Sequence, residues 1–227
     1  MDAEERLRLL ELRIRAACDR AGRAREEVLL LPVSKTQPPS AIAGFYALGL
    51  HQFGESRVQE LLKKKEELPQ GIQWHFIGNL QSNKIKYIAG FVHTVHSVRS
   101  LSIANELSFR ASQYDRTIRI LLEVNISNEP QKHGIEPREV ETLLLPIASS
   151  CPNLEITGLM GMASFEEDPE RTRPQFRALR ELRDSIMVKH PQFTGLKELS
   201  MGMSNDFEVA IEEGATIVRV GSALFEE

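Results

Sequence analysis

Val28-Leu-Leu-Leu-Pro-Val-Ser-Lys35 is the stretch from which the rest of this chain is best read. It is an apolar, partly β-branched run that ends abruptly in a serine and a lysine. Thr36, Gln37, Pro38 and Pro39 follow. Two prolines in a row end a strand, because neither carries a ladder donor. Lys35 therefore stands where a buried strand leaves its sheet. An ammonium at that point is either used and paired, or it snorkels into water. If used, it is a nucleophile able to form a Schiff base with an aldehyde. This stretch alone leaves both readings open.

Working outward, helix and strand patterns alternate along the whole chain. A charged helix from Ala3 to Ala21 precedes the strand that ends at Lys35. Further strands are expected at His51–Gly54, Gln73–Gly78, Phe91–His96, Thr117–Asn125, Leu154–Met160, Lys197–Ser200 and Thr216–Gly221. Helical patterns lie between them: 40–49, 55–68, 79–89, 98–113, 136–150, 169–190 and 204–213. The Asn-, Pro- and Gly-rich segment 126–134 reads as a surface loop. Strict alternation means a parallel sheet. Eight such units in one stretch predict a single (β/α)8 barrel domain over residues 1–227, with an extra N-terminal helix. An open doubly wound sheet is the competing topology.

Composition narrows the function. The 227 residues are 41% hydrophobic and 26% charged, an ordinary globular balance. The net charge of −4 argues against a nucleic-acid binder that works through bulk charge. Cys18 and Cys151 lack metal-ligand spacing and read as small core residues. The first 25 residues are crowded with Glu and Arg, unlike a signal peptide, and no apolar run reaches the ~18 residues that span a bilayer. A cytoplasmic protein is expected.

In a barrel of this class the site lies at the C-terminal ends of the strands, with a phosphate cradle often built after strands seven and eight. Lys35 ends strand one. Strand seven is followed by Ser200-Met-Gly-Met-Ser204 and then a helix, so Gly202 permits close approach and a helix N-terminus favours an anion. Strand eight is followed by Gly221-Ser222-Ala223. Taken singly, Gly202 and Gly221 are ordinary turn glycines; together they mark one rim. Arg219 sits inside the apolar strand Ile217-Val-Arg-Val-Gly221 and needs a partner. Glu123 is one choice, and a ring nitrogen of a bound cofactor is the other. A Schiff-base lysine, a phosphate cradle and an Asp or Arg for a pyridine nitrogen are the three parts of a pyridoxal phosphate (PLP) site.

With those residues in view, the chain resembles the pyridoxal phosphate homeostasis proteins, whose barrel is similar to the N-terminal domain of alanine racemase (PLP fold type III). The resemblance runs over nearly the whole chain. It is carried by Val33-Ser-Lys35, Phe53-Gly-Glu55, Val58-Gln-Glu60, Trp74-His-Phe-Ile-Gly78 with Leu80-Gln-Ser-Asn-Lys84, His96-Ser-Val98, Val124-Asn125, Gly158-Leu-Met160, Leu199-Ser-Met-Gly-Met-Ser204 and Val218-Arg-Val-Gly221. It implies that Lys35 holds PLP as a Schiff base, that Arg219 faces the pyridine nitrogen, and that Ser200, Gly221 and Ser222 hold the phosphate. One departure stands out: Ser56-Arg57 replaces the usual Asn-Tyr, which leaves the contact at Ser56 open.

Other residues carry two readings each. His75 faces the pocket or is a satisfied barrel histidine. Asn125 and Met160 end strands and are candidates to line the cofactor. His93 and His96, three apart, point to opposite faces and do not form a metal pair. Lys84, Lys132 and the run Lys63-Lys-Lys65 read as solvated.

Two functions follow. The protein binds and holds PLP, and hands it to apo PLP enzymes, without substantial turnover; or it is a racemase-like PLP enzyme. Arg219 would keep the pyridine nitrogen unprotonated and the electron sink poor. Racemisation also needs a second base. Alanine racemases are similar in the barrel but take that base, a tyrosine, from a second domain across a dimer. This chain ends a few residues after strand eight, and Tyr46, Tyr87 and Tyr114 fall in or beside helices. The carrier reading, as a monomer, is the expectation. A class I aldolase-like barrel is a third reading, in which Arg219 has no role.

Overall fold

The computed structural model describes residues 2–127, 129 and 133–225. The expected alternation is present. Strands β1 (Leu29–Pro32), β2 (Gln52–Glu55), β3 (Gln73–Phe76), β4 (Thr94–Val98), β5 (Ile118–Val124), β6 (Leu154–Gly161), β7 (Glu198–Ser200) and β8 (Ile217–Val220) form one parallel sheet. Its order is β1-β8-β7-β6-β5-β4-β3-β2. The remaining seam, between β1 and β2, is closed by a parallel bridge from Val33 to Gly54 and by the Ser34 amide donating to the Gly54 carbonyl at 3.0 Å. The sheet is thus a barrel.

Helices α1 (Ala3–Arg20), α2 (Pro39–Ala47), α3 (Val58–Glu67), α4 (Ser82–Ile88), α5 (Leu101–Ser112), α6 (Val140–Ser150), α7 (Arg173–Lys189), α8 (Phe207–Glu212) and a short α9 (Ser222–Phe225) surround it. The Asp2 carboxylate caps α1, and Leu10, Ile14 and Ala17 bury its inner stripe, where the helix packs on α8, α9 and α2. Helix α2 starts one residue earlier than expected, at Pro39, because proline lacks only an N–H that the first turn cannot use. The segment 169–190 divides into a 3-10 turn at Pro169–Thr172 and α7. Strand β4 lies three residues later than its apolar run suggested.

The apolar core lies between barrel and helices. Within the barrel, Leu31, Leu121, Met160 and Ile217 are buried apart from that cluster. Buried polar side chains, among them His75, His96, Glu123, Ser200 and Arg219, share the interior with them. At its lower end Arg119 pairs with Glu198 at 2.8 Å, and Thr157 donates to the same carboxylate.

Candidate functional site

Strand register places Lys35. Leu31 pairs with Arg219 and Pro32 with Val220, and the Val33 amide donates to the Val220 carbonyl at 2.8 Å. Val33 lies against Gly221, and two residues later Lys35 is exposed, in a turn at the C-terminal rim. The Gln37 amide closes that turn onto the Ser34 carbonyl at 3.0 Å. Thr36 adopts φ 65°, a left-handed conformation that a β-branched residue rarely holds without support. Glu60 of α3 supplies it, accepting from the Thr36 amide at 3.1 Å.

Beneath the turn lies a buried ion pair. Lys64 Nζ donates to Glu55 Oε1 at 2.6 Å and to the Ser34 carbonyl at 2.7 Å, and Ser34 Oγ donates to the same carboxylate oxygen at 2.6 Å. Lys64 is not solvated, contrary to the reading of Lys63-Lys-Lys65 as a wet face; only Lys63 and Lys65 are exposed. The signal was present, since Leu61, Lys64 and Leu68 recur at three and four residues and all three are buried. Burial pushes the Glu55 carboxyl up, against the pull of Lys64 and Ser34.

Arg219 is 4% exposed and is held by neutral acceptors. Its Nη1 donates to the Ser200 carbonyl at 2.6 Å and to Ser200 Oγ at 2.7 Å, and its Nη2 to the Gly161 carbonyl at 3.0 Å. Burial brings its pKa down to about 10, with Asp206 and Glu123 acting in the other direction from farther away. Glu123, itself pushed up by burial, makes no direct bond to it.

The polar chain continues from Ser200. His96 Nδ1 lies 2.9 Å from Ser200 Oγ, His96 Nε2 lies 2.8 Å from His75 Nδ1, and His75 Nε2 lies 2.8 Å from Gln52 Oε1. Desolvation lowers the pKa of His75 to about 3 and that of His96 well below the ordinary value. His75 is therefore a satisfied barrel histidine. His93 and His96 do not diverge to opposite faces: both rings pack on His75, at 5.4 and 5.1 Å between centroids. His93 precedes β4, so strand parity does not govern it.

The turns after β7 and β8 are tied together. The Ala223 amide donates to Ser204 Oγ at 3.3 Å, the Met203 amide to Asp206 Oδ1 at 2.6 Å, and the Arg219 amide to the Gly202 carbonyl at 3.0 Å. Gly202 has φ 88°, and a Cβ there would lie 2.9 Å from Phe207 Cα, so only glycine lets α8 start so close to β7. The amides of Gly221 and Ser222, at the start of α9, have no acceptor among the described residues. This donor set fits a phosphate, and the lysine one strand away fits an aldehyde on the same ligand.

Of the residues expected at the site, Lys35, Ser200, Gly202, Ser204, Arg219, Gly221 and Ser222 come together at the β7–β8–β1 corner. Met160 is buried, in register with Ser200. Asn125 is engaged in its own loop, donating to the Glu129 carbonyl and accepting from Ser127 Oγ. Ser56 is half-buried after β2, where a Cβ on Gly78 would collide with its carbonyl at 2.1 Å. Lys132 lies outside the described residues. The three tyrosines sit at the opposite end: Tyr46 packs on His51 before β2 (4.8 Å), while Tyr87 and Tyr114 are exposed near the C-terminal ends of α4 and α5. A groove of about 400 Å³ opens beside the rim between the loops after β6 and β7, lined by Met162, Phe165 and Met203. Among the described residues no helix is long and apolar enough to cross a membrane, and no cluster of three or more metal-ligating side chains occurs.

Residues 10–227 match the family of the alanine racemase N-terminal domain. The chain is 47% identical over 228 residues to the pyridoxal phosphate homeostasis protein of Aquifex aeolicus, covering 100% of this chain and 99% of that one. PipY of Synechococcus elongatus, solved with PLP bound, superposes with a TM-score of 0.85 at 35% identity, covering 99% of this chain and 100% of PipY. The alanine racemase of Clostridium difficile shares the fold at a TM-score of 0.69 and 14% identity, over 98% of this chain and 57% of that enzyme.

Proposed function

The chain belongs to the family of the alanine racemase N-terminal domain and, within it, to the pyridoxal phosphate homeostasis proteins, and on that premise we propose that it binds PLP at the C-terminal rim and serves PLP homeostasis by holding and releasing the cofactor. The convergence of Lys35, Arg219 and the Gly221–Ser222 amides on one corner of the barrel carries this reading. Lys35 Nζ would hold the aldehyde carbon covalently, with water as the leaving group. The Gly221 and Ser222 amides, with the Gly202 and Ser204 turn behind them, would hold the phosphate. Arg219, a donor at every hydrogen-bonding position, would serve the ring nitrogen and keep it unprotonated. When bound, PLP supplies an electron sink, which an unprotonated ring nitrogen weakens.

That weakness favours a carrier over a racemase-like enzyme. So does the placement of Tyr46, Tyr87 and Tyr114 away from the rim, because none can be the second base that racemisation requires. Lys35 is exposed, and exposure suits hand-over to an apoenzyme. Two buried free cysteines and an ordinary globular composition support a cytoplasmic location.

The test is the visible spectrum of the purified protein with PLP, before and after borohydride, with Lys35→Ala beside it. The expected result is a band that borohydride bleaches, a reduced adduct on Lys35, and no band in the variant. Incubation with an apo PLP enzyme should then restore that enzyme's activity while the band fades. A protein that takes up no PLP removes the assignment. One that racemises amino acids at enzymatic rates replaces the carrier with the catalyst.

A further inference from the structure

Of the histidines inside the barrel, sequence offers only His75 as a candidate for the site, yet His75 and His96 form an unbroken hydrogen-bonded file to Arg219 through Ser200. The file has a forced direction. Arg219 has only hydrogens to offer, so Ser200 Oγ accepts from it. Among the described residues the Ser200 hydroxyl hydrogen then has one acceptor, His96 Nδ1. An acceptor Nδ1 in a neutral ring leaves the proton on Nε2, which points at His75 Nδ1. The same step repeats, and His75 Nε2–H ends on Gln52 Oε1. In this arrangement each of the four bonds of the file pairs one donor with one acceptor.

We propose that His96 and His75 are positioning residues that fix the Arg219 guanidinium through the Ser200 hydroxyl, so that Ser200 belongs to the ring-nitrogen apparatus and the phosphate falls to the two turns alone. The inference rests on the PLP reading of the rim. Three further facts support it. Gln52, His75, His96, Ser200 and Arg219 come from five strands, so their spacing is set by the barrel and not by a mobile loop. His75, His96, Ser200 and Arg219 are each at most 4% exposed, so water does not compete for these bonds. The charged and titratable groups acting on His96 are His75 and His93 from β3 and the β4 entry, Arg219 from β8 and Arg119 from β5. All are basic, and each makes a proton on His96 less favourable. The file therefore keeps one direction across the neutral range.

Nitrogen-15 spectra of the imidazoles in the full chain without PLP read the file directly. Both rings should show a protonated Nε2 and a bare Nδ1, unchanged from pH 6 to pH 8. A protonated Nδ1 on His96, or a cationic ring in that range, overturns the proposal. The role is read by titrating PLP into His96→Leu and His96→Asn and following the visible band. His96→Leu should bind PLP roughly 10- to 100-fold more weakly, the loss expected when one bond to a charged group fails. Its band should titrate with pH where the parent's does not, because a loosened Arg219 lets the ring nitrogen take a proton. His96→Asn, whose carboxamide oxygen can accept from Ser200, should recover most of the affinity. A folded His96→Leu protein with parental affinity and spectrum overturns the proposal. If that variant does not fold, the imidazole spectra and His96→Asn decide. A parent chain with the expected imidazole pattern that takes up no PLP refutes the cofactor assignment, and the ring-nitrogen role with it.

Discussion

Two neutral histidines in a barrel interior leave a mark on stability as well as on the site. Unfolded, each takes up a proton as the pH falls below about 6.5. Folded, His75 stays neutral to about 3, and His96 lies well below its ordinary value. Between those limits the unfolded chain binds more protons than the folded one, so stability falls as acid is added. The slope is about 1.4 kcal/mol per pH unit for each histidine once the unfolded ring is charged. Urea unfolding between pH 7 and pH 4 should show the decline setting in near pH 6.5, above the range of ordinary carboxylates. His96→Gln should make the slope shallower without abolishing it, because His75 and the half-buried His93, whose pKa burial also lowers, still titrate. A flat profile from pH 7 to pH 5 would mean that these rings are hydrated or already charged in the native state.

At the scale of elements, α3 is what holds the Lys35 turn. One turn of that helix accepts from the Thr36 amide through Glu60, and the next donates to the Ser34 carbonyl through Lys64. Removing one member of a buried pair leaves a bare charge, so Lys64→Met should cost about 3–5 kcal/mol of unfolding free energy. Glu55→Gln together with Lys64→Met should recover part of that loss, since no bare carboxylate then remains. Denaturant titration of the three proteins checks this; equal stability of Lys64→Met and the parent would remove the clamp. The same helix marks where sequence reading stopped. Strands β1, β5 and β6 were legible because a buried parallel strand is a nearly continuous apolar run bounded by turn residues. Lys35, Arg219 and the Gly221–Ser222 turn were legible because barrel topology sends strand ends to one rim. The spacing of Lys64 with Leu61 and Leu68 marks it as inward, but its partner, Glu55, lies on another element and only the fold pairs them. His96 was named, but its role depends on Ser200, 104 residues away. Polar contacts of such separation leave no local period.

For the whole molecule, the proposed ligand lies beside a seam where the barrel is thinly closed. Strands β5 and β6 share a seven-residue register, whereas β1 and β2 meet at the Val33–Gly54 bridge and the Ser34 amide. Lys35 extends from one side of that seam, and the phosphate turn sits on the neighbouring strand. A ligand joined covalently to Lys35 and hydrogen-bonded to the Gly221 and Ser222 amides would tie β1 to β8 beside that seam. It binds the folded chain and not the unfolded one, so it stabilises by mass action, about 2.7 kcal/mol at a hundredfold excess over Kd. The thermal midpoint should therefore climb steadily with added PLP, and Lys35→Ala should lose most of the climb. Hydrogen exchange should slow on PLP addition at residues 33–37, 53–55 and 221–225, while the Tyr46–His51 end of the barrel stays as it was. Protection spread evenly over both ends would place the ligand elsewhere, because a clamp on one rim has no means of reaching amides at the far end except through global unfolding.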